Sequence, residues 1–170
     1  SNSFWLKFDD NADMSTAKTV WSGSGNHVYH KSQRMYMVFA SASNPFHKEW
    51  SWSMDSDLLI SQFNNFVFSW DGNFASNNPK LYFNGIDQGT GSNGPNTAEE
   101  ATGSTRADMG QNKIYWMDRA NFSGNDELQG KLNEFAFWSK ELSVNEALEI
   151  YNDGEYVDLR TISAESSIID

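Results

Sequence analysis

The sequence predicts an all-β sandwich of two antiparallel sheets with one short helix near its C-terminal end. Three observations support this fold class. The 170 residues include 18 Asn, 22 Ser and 12 Gly, which cluster between short aromatic or β-branched runs. Aromatic residues make up 15% of the chain, which is enough ring surface to build a core. Residues 143–152 alone combine a helical apolar period with capping signals at both ends.

Seven short runs predict the strands, and polar turn residues separate them. Strict alternation places five large rings on the inner faces of two of these strands, and we expect all five in the core: Trp50, Trp52, Phe66, Phe68 and Trp70. Residues 87–108 have no apolar period and are interpreted as a long polar loop. The seven predicted strands cover residues 4–8, 34–39, 49–54, 65–70, 80–83, 113–117 and 131–138.

The predicted helix begins after Ser143, which has the residue type of an N-cap. Glu146 follows three residues later and completes a capping box, and Gly154 lies just past the expected end. Its apolar stripe is expected to face the core and consists of Val144, Ala147, Leu148 and Tyr151. We interpret the chain as one domain over residues 1–170, with an irregular tail over residues 155–170.

The charge balance excludes several classes of partner. The chain carries 12 Lys and Arg against 23 Asp and Glu, a formal net charge of −11. An acidic surface without a basic cluster argues against nucleic acid and against anionic membranes. No apolar run approaches the roughly 20 residues that span a bilayer, so we expect no membrane insertion. The absence of cysteine excludes disulfides, thiol catalysis and thiolate zinc sites.

Catalytic patterns are missing from the sequence, and we expect the protein not to be an enzyme. Retaining glycosidases place two carboxylates about 5–5.5 Å apart. Alternating acids of the type E-x-D-x-E would achieve this on a strand, but no Glu begins such a pattern. The nucleophile elbow G-x-S-x-G is absent as well. We interpret His27 and His30 as solvated loop residues, because a Ser- and Gly-rich stretch precedes them.

Two acidic clusters have the oxygen chemistry that Ca²⁺ prefers. One follows the first predicted strand and contains Asp9, Asp10 and Asp13; the other lies between the last two strands and contains Asp118, Asn121 and Asp126. Both can equally be solvated polar turns, and the first lacks the Gly and the closing Glu of an EF-hand loop. If the chain uses a cofactor, these clusters indicate Ca²⁺.

Three segments resemble the laminin-G-like and pentraxin-like branch of the concanavalin A-like lectin/glucanase superfamily. The segment NFVFSWDGNFASNNPKLYFNG is similar to the central hairpin of these domains, in which one strand ends in Asp-Gly and the next in Asn-Gly. The segment FSGNDELQGKLNEFAFWSKELSVNEALEIYNDG resembles their closing strand and helix, and FWLK resembles an early strand. The resemblance implies a jelly-roll β-sandwich. It also implies a lectin, a glycosidase, an adhesion module or a virion appendage, since the fold carries all of these.

The sequence departs from this family in three places. Asn133 stands where the family usually has Asp, although Glu134 matches. Only three residues precede the FWLK strand, where the family has a further strand. The tail from Tyr156 resembles the segment that follows the helix in phage-associated members, and it stops without a closing aromatic strand. The missing early strand and the short tail lead us to expect a fragment of a longer chain.

Glycan binding is the function that the resemblance and the residues together favour. Tyr115 and Trp116 must point to opposite faces of their strand, so one is expected in the core and one outside. Alternation places Glu134 with Ala136 on a solvated, concave face. The candidate ligand-binding residues are therefore Tyr115, Trp116, Asn121 and Glu134.

The sequence thus predicts a non-catalytic module that binds a glycan or a cell-surface polysaccharide through rim loops, with Ca²⁺ as an organising ion. Its expected location is extracellular or on a virion surface. The alternative is a structural appendage domain of a phage or virus particle, such as a tail, fibre or capsid decoration. A glycoside hydrolase or lyase is the third interpretation. The sequence leaves the oligomeric state open.

Overall fold

Two antiparallel sheets form a β-sandwich in the computed structural model, which describes residues 1–23, 26–40, 47–72, 78–93, 114–117 and 127–169. One sheet has five strands in the order β11-β1-β6-β7-β8, and the other has six in the order β10-β2-β3-β4-β5-β9. The strands are β1 (Asn2–Phe8), β2 (Lys18–Gly23), β3 (Asn26–Lys31), β4 (Arg34–Ala40), β5 (His47–Ser53), β6 (Asn64–Ser69), β7 (Lys80–Phe83), β8 (Ile86–Thr90), β9 (Ser92–Asn93), β10 (Tyr115–Trp116) and β11 (Gly130–Phe137). The predicted fold class is confirmed.

The main core fills the space between the two sheets. All five rings that alternation assigned to the core are buried. They pack with Phe4, Leu6 and Phe8 from β1, which lie on its inner face. Trp5 of β1 points to the outer face of the sheet and contacts the C-terminal residues Tyr151 and Tyr156. The alternation of β1 therefore separates a core face from an aromatic outer face.

A second apolar cluster covers the outer face of the five-stranded sheet. It joins Val67, Tyr82 and Ala136 of the sheet to residues of α2 (Val144–Tyr151) and of the following segment. The segment after α2 has short 3₁₀ turns, and Ile168 forms a bridge with Trp138. The contributors from outside the sheet are Trp138, Leu142, Ala147, Ile150, Ile162 and Ala164.

The helix α2 begins as predicted, but the prediction of its buried apolar positions is wrong in part. Ser143 accepts a hydrogen bond from the Glu146 N–H at 3.3 Å, and the Glu146 carboxylate accepts one from the Ser143 N–H at 2.8 Å. The buried apolar positions are Ala147 and Ile150. Val144 and Leu148 are 45% and 47% exposed, because the sheet contacts a face of the helix about one position away from the predicted stripe.

The sequence interpretation missed the hairpin of β2 and β3, two further strands and one helix. The region of His27 and His30 is strand β3, and His30 is fully buried against the Phe8 ring at 5.3 Å. The prediction of solvated loop histidines is therefore wrong for His30. The prediction of a long polar loop is wrong for residues 87–90 and 92–93, which belong to the strands β8 and β9. A six-residue helix, α1 (Ser56–Ser61), follows its N-cap Asp55.

The strand β5 is buried on both faces, although the alternation of Trp50 and Trp52 with polar residues indicated a half-buried strand. Glu49 is 1% exposed and Ser51 is 4% exposed. The Tyr29 hydroxyl donates a hydrogen bond to Glu49 Oε2 at 2.7 Å, so this buried carboxylate has a polar partner. In the described parts of the chain, no helix is long and apolar enough to cross a bilayer.

Candidate functional site

A cleft of about 350 Å³ opens on the outer face of the five-stranded sheet, next to the C-terminal end of α2. Ligand sites in proteins commonly measure about 300–1,000 Å³, so this cleft can hold a small ligand or one unit of a polymer. Its lining combines four aromatic rings with two amides and one carboxylate: Trp5, Gln62, Phe63, Asn84, Tyr151, Gly154, Glu155 and Tyr156. We call it the aromatic cleft.

Trp5 is the centre of the aromatic cleft. Its ring stacks on Tyr151 at a centroid distance of 6.0 Å and makes a T-shaped contact with the Tyr156 ring at 5.3 Å. Tyr156 also contacts Phe63 edge-on at 6.4 Å. Tyr156 is 47% exposed, whereas Trp5 is only 3% exposed. The cleft therefore presents one accessible ring above a rigid, buried one.

Asn84 reaches the aromatic cleft from the turn between β7 and β8. Asn84 and Gly85 both have positive φ, at 50° and 73°, as the tight turn of an Asn-Gly hairpin requires. The Asn84 side chain accepts a hydrogen bond from the Asn65 N–H at 2.8 Å and donates one to Asn64 Oδ1 at 2.9 Å. The turn is thereby attached to β6, and the amide is held at the wall of the cleft.

Gly85 allows α2 to lie close to this turn. A Cβ atom at Gly85 would lie 2.8 Å from Tyr151 Cδ1 and 3.0 Å from Leu148 Cδ2. Real Cβ atoms do not approach side chains this closely, so a larger residue would displace Tyr151. The Gly85 position thus helps to set the distance between two walls of the aromatic cleft.

Buried polar groups without partners lie on the outer face of the five-stranded sheet, beside the aromatic cleft. Among the described residues, the Trp5 Nε1 donor and both amide atoms of Asn65 have no hydrogen-bond partner. Trp5 and Asn65 are paired across β1 and β6, so their side chains lie on the same face. An unpaired buried polar group costs about 1–3 kcal/mol. An ordered water enclosed between these atoms would relieve that cost.

The structure places Glu134 differently from its prediction. Glu134 lies at a β-bulge, has φ of 45° and is half-buried rather than exposed on a solvated face. Burial raises the pKa of its carboxyl, the nearby Asp158 raises that pKa further, and a hydrogen bond from the Val157 backbone lowers it. The face that it shares with Ala136 is covered by α2 and the segment after it, which explains the difference.

Tyr115 and Trp116 form the edge strand β10, and both are partly exposed, at 41% and 46%. Trp116 pairs with the core residue Trp21 and contacts the Phe135 ring at 4.3 Å, so it is the inward residue of the two. The expectation that one of them is in the core is wrong, because neither side chain is buried. Even the inward ring of Trp116 stays about half exposed, since β10 lies at the edge of its sheet. The structure does not bring either residue into the aromatic cleft.

The two predicted calcium clusters have different outcomes. Asp118, Asn121 and Asp126 lie outside the described residues. Asp9 and Asp10 are exposed in the turn after β1, and Asp13 Oδ1 accepts hydrogen bonds from the Ser15 N–H at 3.0 Å and the Ser15 hydroxyl at 2.6 Å. These bonds lower the pKa of Asp13. No three His, Cys, Asp or Glu side chains within the described ranges are grouped to hold a metal ion, and calcium binding stays a prediction.

Comparison with known proteins identifies the family. The Laminin_G_3 family model, described as concanavalin A-like lectin/glucanases superfamily, matches residues 1–148. The chain belongs to the concanavalin A-like lectin/glucanase superfamily. The resemblance found in the sequence is thus confirmed. No curated protein sequence matches the chain.

Solved structures of similar fold include three botulinum neurotoxin binding domains. The receptor binding domain of botulinum neurotoxin D has a TM-score of 0.62 and 17% identity, over 90% of this chain and 36% of that chain. The binding domain of botulinum neurotoxin DC in complex with rat synaptotagmin II has a TM-score of 0.63 and 16% identity, over 91% of this chain and 36% of that chain. The binding domain of botulinum neurotoxin serotype G has a TM-score of 0.63 and 16% identity, over 88% of this chain and 35% of that chain. This chain of the concanavalin A-like superfamily spans about a third of their length.

Half of the aromatic cleft lies beyond the family match. Tyr151, Gly154, Glu155 and Tyr156 all follow residue 148. Sequence reasoning missed the site, since it treated Trp5 as part of a strand and Tyr156 as part of a tail. Two signals could have located it. Trp5 alternates with the core residues Phe4 and Leu6, which indicates a ring on the outer face, and tyrosines precede and follow Gly154 within three residues.

Proposed function

We propose that the chain is a non-catalytic carbohydrate-binding module and that a saccharide occupies the aromatic cleft. The observation that carries this proposal is the combination of an accessible ring, Tyr156, with two side-chain amides and one carboxylate in the lining of one cleft. Aromatic faces stack on the C–H surfaces of sugar rings, and amides and carboxylates bond to hydroxyl groups. A glycan ligand implies an extracellular location or a position on a particle surface.

The carboxylates support a binding role rather than hydrolysis. Glycosidases commonly need two carboxyl groups at the scissile bond, whereas Glu155 is the one carboxylate in the lining of the aromatic cleft. Glu134 lies near Asp158, but the Asp158 carboxylate is held by Arg160 Nε at 2.8 Å and Nη2 at 2.6 Å. We therefore expect no release of reducing ends when bound oligosaccharides are incubated with the protein.

Glycan-array binding followed by calorimetry tests the proposal. Tyr156→Ala should weaken the binding of the best glycan by about tenfold, because it removes one stacking ring. Tyr115→Ala is the matched variant, since Tyr115 is exposed to a similar extent but lies on β10. Loss of binding in Tyr115→Ala with full binding in Tyr156→Ala would move the site to β10. Binding to no glycan, with or without calcium, would overturn the proposal.

A further inference from the structure

The lining of the aromatic cleft contains a single charged side chain, Glu155. Building on the proposed carbohydrate function, we propose that the cleft selects saccharides by charge. It accepts uncharged and amine-bearing sugars and rejects sugars that carry carboxylate or sulfate groups. This selectivity names the ligand class of the site and is independent of which sugar ring is bound.

The donors in the lining do not suit an anion. Carboxylate and sulfate groups in protein sites are usually bound by Arg or Lys, which supply charge together with hydrogen bonds. The lining supplies neutral donors only, and the Asn84 amide already donates to Asn64. An anionic sugar would therefore lose its hydration in the cleft without gaining a cation.

The nearby cations do not change this balance. Lys7 follows Trp5 by two residues on the same face of β1 but does not line the aromatic cleft. Arg160 is committed to Asp158 through two hydrogen bonds. Two further acids lie beside residues 154–156 of the cleft wall. Asp153 directly precedes Gly154 in the sequence, and Glu134 lies close in space to Val157 and Asp158. The net charge of −11 gives the surroundings the same sign.

The aromatic rings of the cleft, like Glu155, favour amine-bearing over anionic sugars. The face of an aromatic ring carries negative charge density, so an ammonium group above Tyr156 or Trp5 is attracted and an anion is repelled. Tyr156 is inclined by 73° to both the Trp5 and the Phe63 ring, so it is stacked face to face on neither, and about half of its surface is exposed. Uncharged sugars still gain the stacking contact, which does not depend on net charge.

An array that presents each backbone in uncharged, amine-bearing and carboxylated or sulfated forms tests the inference. We expect the anionic form to bind at least about fivefold more weakly than the uncharged form of the same backbone, as for one partly exposed charge pair. The difference should shrink in 0.5 M NaCl because salt screens the interaction. Anionic forms that bind equally well or better would overturn the inference and leave the proposed function intact. An array with no binding at all would overturn both.

A pair of matched variants assigns the effect to Glu155. Glu155→Gln keeps the size and shape of the side chain while it removes the charge and replaces one accepting oxygen by a donating amide, and it should narrow the amine-to-anion binding ratio by about two- to fivefold. Asp153→Asn removes the same formal charge two residues away, outside the lining, and asparagine tolerates the left-handed backbone at this position. It should narrow the ratio less. An equal effect of both variants would contradict the role of Glu155 and indicate the overall field of the chain.

Discussion

A buried histidine shows how one residue can link stability to pH. His30 is fully buried, and among the described residues neither of its ring nitrogens has a hydrogen-bond partner. Burial lowers its pKa from 6.5 to about 4, because the charged ring would be desolvated without a counter-charge. The folded chain therefore holds the neutral form at a pH where the unfolded chain is already protonated.

The free energy of unfolding should consequently fall as the pH drops from 6.5 towards 4, by up to about 3 kcal/mol in total, and it should be insensitive to His30 above pH 7. Urea denaturation at several pH values measures this slope. His30→Gln should flatten the slope between pH 6.5 and 4.5, whereas His27→Gln, on the opposite face of β3, should keep it. Equal slopes in wild type and His30→Gln would contradict the prediction.

The alternation rule predicted inner residues well and outer residues poorly. It placed Trp50 and Phe66 in the core correctly because burial there follows the period of the strand alone. It placed Glu134 on a solvated face because the bulge and the covering segment depend on contacts between residues far apart in sequence. Likewise, no local pattern at Tyr156 indicates that it meets Trp5, which is distant along the chain.

At the scale of elements, the capping box of α2 was predictable because its signal lies within four residues. Ser143 and Glu146 exchange the expected hydrogen bonds, and Lys140 pairs with the Glu146 carboxylate. Burial alone would raise the pKa of Glu146, but the bonds from Lys140 and Ser143 outweigh it and lower that pKa. The buried face of α2 was not predictable in detail, since the sheet beneath it decides which residues are covered.

Ser143→Ala should lower the free energy of unfolding by about 1 kcal/mol, because it removes the N-cap of α2. Chemical denaturation measures the change. Ser56→Ala is the control, since Ser56 is the first residue of α1 and its hydroxyl has no hydrogen-bond partner in the described structure. Removal of this hydroxyl should change the free energy of unfolding by less than about 0.5 kcal/mol. A similar loss in both variants would argue against a specific capping effect.

Strands with strong aromatic content were predicted, and strands rich in polar residues were missed. The hairpin of β2 and β3 contains Lys, Ser, His and Asn at positions that the structure buries, including Lys18 and Asn26. Strand β8 is exposed along its whole length at the edge of the five-stranded sheet. Pairing with a neighbouring strand stabilises both, and a hydrophobicity pattern does not record pairing.

At the scale of the whole molecule, the segment after α2 acts as a second layer on the five-stranded sheet. The Ser139 N–H donates to the Ser167 carbonyl at 2.8 Å, and the Ile169 N–H donates to the Phe137 carbonyl at 3.0 Å. Ile162 and Ala164 are buried in the second cluster. These contacts attach the segment, which has only short 3₁₀ turns, to the end of β11.

Removal of residues 155–170 should lower the free energy of unfolding by at least about 3 kcal/mol, because it exposes apolar surface on Trp138 and Ala136. Thermal unfolding and a red shift of tryptophan emission measure this loss. Tyr156→Ala separates the two roles of the segment, since it should weaken ligand binding while keeping most of the stability. An unchanged melting temperature after the truncation would contradict the prediction.

The position of the aromatic cleft across the boundary of the family match has an evolutionary consequence. One wall belongs to strands and turns whose sequence the sandwich itself constrains, as at Trp5 and Gly85. The other wall is a short exposed stretch, residues 154–156, that contributes no residue to the core between the sheets. On the proposed carbohydrate function, mutations in that stretch would change specificity at little cost to folding, and a few surface substitutions would let one inherited scaffold acquire new ligands.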